Sequence, residues 1–188
     1  AFLTLLLLWG SSVFAQQPGG IVTFTVDSIS VDFYENRFSE FVERDLPGTI
    51  FVQTKPIGLE SWDMDWSHLQ SIDSQGWEIG AHSFSHERYL SQVEDDFLQL
   101  ELGAPAARIY REIGTYPVTF SSPFGDYDDE VIASARLYYD AHFAAWGNGG
   151  FNSLTETSLY RINRVEIDYD ATGAEVCSMM RRAAITGE

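Results

Sequence analysis

Cysteine is nearly absent from this sequence. Cys177 stands alone among 188 residues, so no internal disulfide can form and stability has to come from a packed core. Basic residues are scarce as well. Only 11 Lys and Arg face 28 Asp and Glu, for a formal net charge of −17. Such a surface repels phosphate backbones and anionic lipid heads, which excludes nucleic acid and membrane surfaces as natural partners. The acids are interleaved with apolar residues, the pattern of a solvated surface rather than of an acidic tract. No apolar run reaches the roughly 20 residues of a membrane span, so no stable membrane anchor is expected. Internal repeats, low-complexity tracts and an inter-domain linker are also lacking, and no pattern speaks to oligomeric state. What remains is 45% hydrophobic, enough for one well-filled core and too short for two.

The first residues carry a separate message. Phe2-Leu3-Thr4-Leu5-Leu6-Leu7-Leu8-Trp9 is a short apolar run, followed by Gly10-Ser11-Ser12 and then Val13-Phe14-Ala15. Small residues after a short apolar stretch suit signal peptidase, so residues 1–15 read as a signal peptide cleaved after Ala15. The absence of an initiating Met and of a basic stretch gives the expectation that the sequence starts inside that peptide. Residues 16–20 then read as a linker and 21–188 as the domain, with a secreted or periplasmic location.

Beyond residue 20, strand-like and helix-like segments alternate, the signature of βα units around a largely parallel sheet. Strands are expected at 21–27, 49–52, 77–81, 118–121, 141–146 and 160–167. Helices are expected at 36–45, 66–74, 129–137 and 173–184, with a long helix over 90–114 interrupted near Gly103 to Pro105. In parallel α/β architectures ligands collect at the C-terminal ends of strands, which selects Asp27, His82 and Pro123-Phe124-Gly125.

His82 and His86 have i, i+4 spacing, so on a helical turn both imidazoles would project from one face and could share a metal; two surface or half-buried histidines is the plainer alternative. Asp27 ends the run Val22-Thr23-Phe24-Thr25-Val26 and either caps the next turn or faces the cleft. Pro123-Phe124-Gly125 is a rigid turn, either aiming a backbone N–H at an oxyanion or simply leading into a helix capped by Asp126 or Asp128.

Taken together, Val22-Thr23-Phe24-Thr25-Val26-Asp27, Gly48-Thr49-Ile50-Phe51-Val52, Gly76-Trp77-Glu78-Ile79-Gly80-Ala81-His82-Ser83-Phe84-Ser85-His86 and Ser122-Pro123-Phe124-Gly125-Asp126-Tyr127-Asp128 resemble the polysaccharide deacetylases, the NodB-homology carbohydrate esterases. The resemblance covers roughly residues 21 to 168. It implies a distorted (β/α) barrel with fewer than eight strands, acting as a hydrolase that removes acetyl groups from a glycan. It also implies a divalent metal, usually zinc, held by one Asp and two His. On that resemblance Asp27 is the general base, His82 and His86 are metal ligands, and the backbone N–H of Phe124 helps to hold the oxyanion.

The sequence departs from the family pattern in named places. Ser28 stands where the carboxylate ligand belongs, and a neutral hydroxyl is a poor zinc ligand, so a weak metal site is expected. Ile29 replaces a Gly, and Ser121 replaces an Arg. The late Leu-x-His motif is missing, since no histidine follows His142, which reads as a packed strand residue. Arg164 resembles an Arg of shorter bacterial members. Two other functions stay open beside the deacetylase. One is a degenerate glycan-binding domain of the same fold, with Trp62, Trp66, Phe84, Tyr89, Tyr127 and Trp146 as stacking candidates. The other is a metal-independent amidohydrolase.

Overall fold

The structure is a computed structural model that describes residues 22–144, 152–153, 158–167 and 171–186. The signal-peptide and linker assignments, Ile21 and Trp146 lie outside the described residues.

Five strands form one parallel sheet whose spatial order is the chain order: β1 (Phe24–Asp27), β2 (Gly48–Val52), β3 (Glu78–Ala81), β4 (Thr119–Ser121) and β5 (Ala141–Phe143). The helices are α1 (Val31–Asn36), α2 (Phe38–Val42), α3 (Trp66–Ser74), α4 (Asp95–Ile113), α5 (Asp129–Ala135) and α6 (Gly173–Thr186). With its helices the sheet is a curled half-barrel of fewer than eight strands, as expected. Polar side chains interrupt the apolar ones in every strand: Thr25 and Asp27 in β1, Thr49 in β2, Glu78 in β3, Thr119 and Ser121 in β4, and His142 in β5. Ile50, Phe51, Val52 and Phe120 are fully buried, with Leu69, Ile72, Leu98, Leu102 and Ile109 packing from α3 and α4. Register sets the strand ends level. Asp27 pairs with Phe51, Val52 with Ala81, Ala81 with Phe120, and Ser121 with Phe143, so Asp27, His82 and Ser121 emerge at one rim.

Helix α3 matches expectation because its start signal is complete. Asp65 accepts from the N–H groups of Ser67 and His68, while Leu69 and Ile72 supply the buried side. Elsewhere the boundaries differ. The expected helix 36–45 is two short helices that begin earlier, at the cap made by Ser30 on the Asp32 N–H, and break at Arg37. The long helix breaks at residues 93–94, between a 3-10 turn (Leu90–Gln92) and α4, and runs unbroken past Gly103 and Pro105. Gly103 is a packing residue there, because a Cβ would lie 3.0 Å from the Tyr138 ring.

The expected strand 160–167 is reduced to a single bridge between Phe143 and Ile162. The backbone of Asn163 turns instead to the Asn152 side chain, which accepts from its N–H and donates to its carbonyl, both at 2.8 Å. At Asn163 the ladder partners are therefore replaced by one amide, and Ile162 keeps strand-like backbone bonds to His142 and Ala144.

Candidate active site

A cleft of about 550 Å³ opens at the C-terminal rim, lined by Asp27, Gln53, His82, His86, Ser122, Phe124, Arg164 and Glu166 among others. Most of the side chains selected from sequence meet here. Ser28 does not line it.

Asp27 is held by a residue from the far end of the fold. Arg164 Nη1 donates to Oδ1 at 2.6 Å and Nη2 donates to Oδ2 at 2.9 Å, a two-pronged pair of the kind a planar guanidinium favours. The other guanidinium hydrogens go to Ser121 Oγ at 2.8 Å, Thr25 Oγ1 at 3.3 Å and the Ala144 carbonyl at 3.2 Å. The guanidinium carbon lies 5.6 Å from the centre of the Phe51 ring. That ring has room because Gly80 is beside it, where a Cβ would sit 2.7 Å from Phe51. Ser121 itself donates to Asp27 Oδ2 at 3.3 Å. The small side chain at an expected Arg position thus leaves space for a guanidinium delivered from Arg164. Burial alone would push the Asp27 pKa up. The Arg164 hydrogen bonds, with the charges of His82 and Arg164, outweigh it and hold the carboxyl below its ordinary value.

His82 sits just after β3 and is almost fully buried. Its Nδ1 lies 2.8 Å from the Ser121 carbonyl, which can only accept, so Nδ1 carries the proton and Nε2 keeps its lone pair. That Nε2 is 3.7 Å from Asp27 Oδ2. Burial depresses the His82 pKa to about 4 despite the nearby Asp27 charge, so the ring is neutral at pH 7. Burial lowers His86 too. The two rings lie 4.7 Å apart, yet on a loop with left-handed turns rather than on a helix, since Ser83 has φ 67° and His86 φ 59°. Phe124 also has positive φ, 58°, and its ring stands 4.5 Å from His86 and 4.9 Å from Tyr89.

His142 is the packed residue expected. Its Nδ1 donates to the Tyr160 carbonyl at 3.0 Å and its Nε2 accepts from Ser122 Oγ at 2.8 Å, with Phe120 and Tyr127 against the ring.

The residues present do not fit the three-ligand metal set. Both imidazoles are in the neutral form a metal needs, but Ser28 Oγ accepts from the Ser30 N–H at 2.9 Å, bracing its own turn. The Asp27 carboxylate beside the histidines is committed to Arg164 on both oxygens. Among the described residues no three His, Cys, Asp or Glu side chains are grouped to hold a metal ion. The chemistry of this chain's own groups is therefore that of an ionised, oriented carboxylate facing two neutral imidazoles.

Sequence reading underweighted Arg164 and missed Gln53 and Glu166. Arg164 had a weak family likeness as its only signal, and the other two had none.

Comparison with known proteins bears on the fold and the family. No curated protein matches the chain. Among solved structures, Streptococcus pyogenes deacetylase PplD, in complex with acetate, superposes with a TM-score of 0.76 at 21% identity, covering 85% of this chain and 70% of its own. A polysaccharide deacetylase from Bacillus cereus gives 0.71 at 17% identity, covering 84% and 50%. A CE4 family pseudoenzyme from Bacillus anthracis gives 0.59 at 16% identity, covering 67% and 43%. The family described as polysaccharide deacetylase matches residues 15–139, well over half of the sequence, and the chain belongs to that family.

Proposed function

We propose that this chain hydrolyses acetyl groups from an exported glycan, with Asp27 as the base. The observation that carries the reading is the Asp27 carboxylate, kept ionised and aimed by Arg164 into a cleft walled by His82 and His86. In the proposed reaction water attacks the acetyl carbonyl and its proton passes to Asp27. The tetrahedral intermediate then collapses, the proton returns to the leaving amine or alcohol of the sugar, and acetate departs. The Phe124 turn is assigned to the oxyanion side. Arg164 has two opposed effects: it fixes the carboxylate in place, and it weakens it as a base. No step is routed through a metal, because Ser28 leaves the ligand set incomplete.

The same Ser28 observation favours a second reading, a cleft that binds acetylated glycan without turnover. Acetate release from a panel of acetylated oligosaccharides, measured with chelator and with added zinc beside a binding titration of the same panel, separates the two. Release supports hydrolysis; binding without release supports the second reading. Export, resting on residues 1–15, belongs to the same proposal and is checked by the N-terminus of the mature protein.

A further inference from the structure

The loop that carries His86 is strained. Ser83 and His86 both adopt left-handed backbone, with φ 67° and 59°, and neither is glycine. Such geometry persists only where the surroundings over-determine it. The bonds of this loop can be followed one by one. The Ser83 and Phe84 carbonyls accept from the N–H groups of Thr54 and Lys55, just past β2, at 3.4 and 2.8 Å. The His86 N–H donates to Ser83 Oγ at 3.0 Å. The Phe84 and Ser85 N–H groups both go to Glu101 on α4.

Glu101 receives them in two ways. Its carboxylate accepts from the Ser85 N–H at 2.9 Å and from Ser85 Oγ at 2.7 Å, and its main-chain carbonyl accepts from the Phe84 N–H at 3.1 Å. A carbonyl in mid-helix is normally taken by the N–H four residues on, but here that residue is Pro105, which has none. Glu101 is only 2% exposed, where a carboxylate without partners would be costly. A buried acid and a buried proline in one helix are each unfavourable alone. Together they make a bracket that fits residues 84 and 85.

We propose that Glu101 is the positioning residue for His86, and that Pro105 serves it by freeing the Glu101 carbonyl for Phe84. The activity readout rests on the deacetylase reading above; the conformational readout does not.

The test follows the His86 imidazole Cε1–Hε1 resonance in the folded protein, identified by its loss in His86→Gln. In Glu101→Gln, which keeps the shape but removes one acceptor, the resonance should shift or split while that of His142 stays in place. Acetate release should fall by about 10²-fold through kcat, as expected for a displaced site group, with KM held within about twofold. Pro105→Ala gives the Glu101 carbonyl a helical donor and should move the His86 resonance in the same direction. Ser85→Ala removes only the hydroxyl bond and should have a smaller effect. If Glu101→Gln is poorly folded, the other two variants decide. An unmoved His86 resonance in the folded variants overturns the proposal. Absence of acetate release from the wild type overturns the deacetylase reading instead and leaves the resonance test standing.

Discussion

Arg164 grips Asp27 with both terminal nitrogens although 137 residues separate them in the chain. The pair is only partly open to solvent, with side-chain exposures of 14% and 28%, so water screens it weakly. Arg164→Lys keeps the charge and loses the fork. Without the fork the Asp27 pKa rises, since burial is then less opposed. The ionised base is the active form, so the acid limb of the acetate-release profile should move to higher pH. A pH–rate profile of the variant against wild type measures this, and an unmoved limb removes Asp27 as the titrating base.

Asp27→Asn cannot take a proton, and acetate release should fall by roughly 10²-fold or more. It also leaves the Arg164 guanidinium without its counter-charge, so stability should drop by about 2 kcal/mol, the scale of a hydrogen bond to a charged group. Urea unfolding beside turnover reads both effects. Unaltered turnover in a folded variant excludes the proposed base.

Ser28→Asp would supply the missing carboxylate and can still accept from the Ser30 N–H. Zinc affinity should then rise at least the roughly 10–100-fold associated with weaker outer-shell changes, measured by competition with a chromogenic chelator. Wild-type protein should bind zinc weakly, and chelator should alter its activity little. Tight stoichiometric zinc in the wild type would show that Asp27 leaves Arg164 to serve as a ligand.

His142 gives a pH signature in stability. Burial lowers its pKa from 6.5 to about 4, so between those values the unfolded chain binds a proton that the folded chain refuses. The contribution is intact above about pH 6.5 and is lost as pH falls towards 4, by at most about 3 kcal/mol for a shift of this size. His82 behaves alike, so the comparison is between wild type and His142→Gln. The variant should lose less stability from pH 7 to 4.5; equal losses in both would mean that His142 protonates freely in the fold.

The order of elements was legible because it lives in local pattern. The spacing of Leu69 and Ile72 announces α3, and apolar runs ending in Asp27 or Ala81 announce strands whose ends face the cleft. Asp27, His82, His86 and Phe124 were accessible for the same reason, each following a strand. Ser28 was visible as a departure, though not its bond to the Ser30 N–H. Arg164 and Glu101 were hidden because their meaning is made by distant partners. Glu101 reads as an ordinary acid on a helix until the fold lays Ser85 against it, and Pro105 reads as a break until the freed carbonyl finds Phe84. The expected strand at 160–167 failed similarly, through a competing bond from Asn152.

A sheet whose spatial order repeats its chain order can be laid down strand by strand, each new edge accepting the next segment without waiting for anything downstream. The Asp27–Arg164 clasp breaks that rule, because it joins the first strand to a segment beyond the last. Assembly of the sheet and completion of the cleft are therefore separate events. In refolding, far-ultraviolet circular dichroism should recover before glycan binding does, and a chain halted short of Arg164 would hold most of its sheet while lacking a formed site.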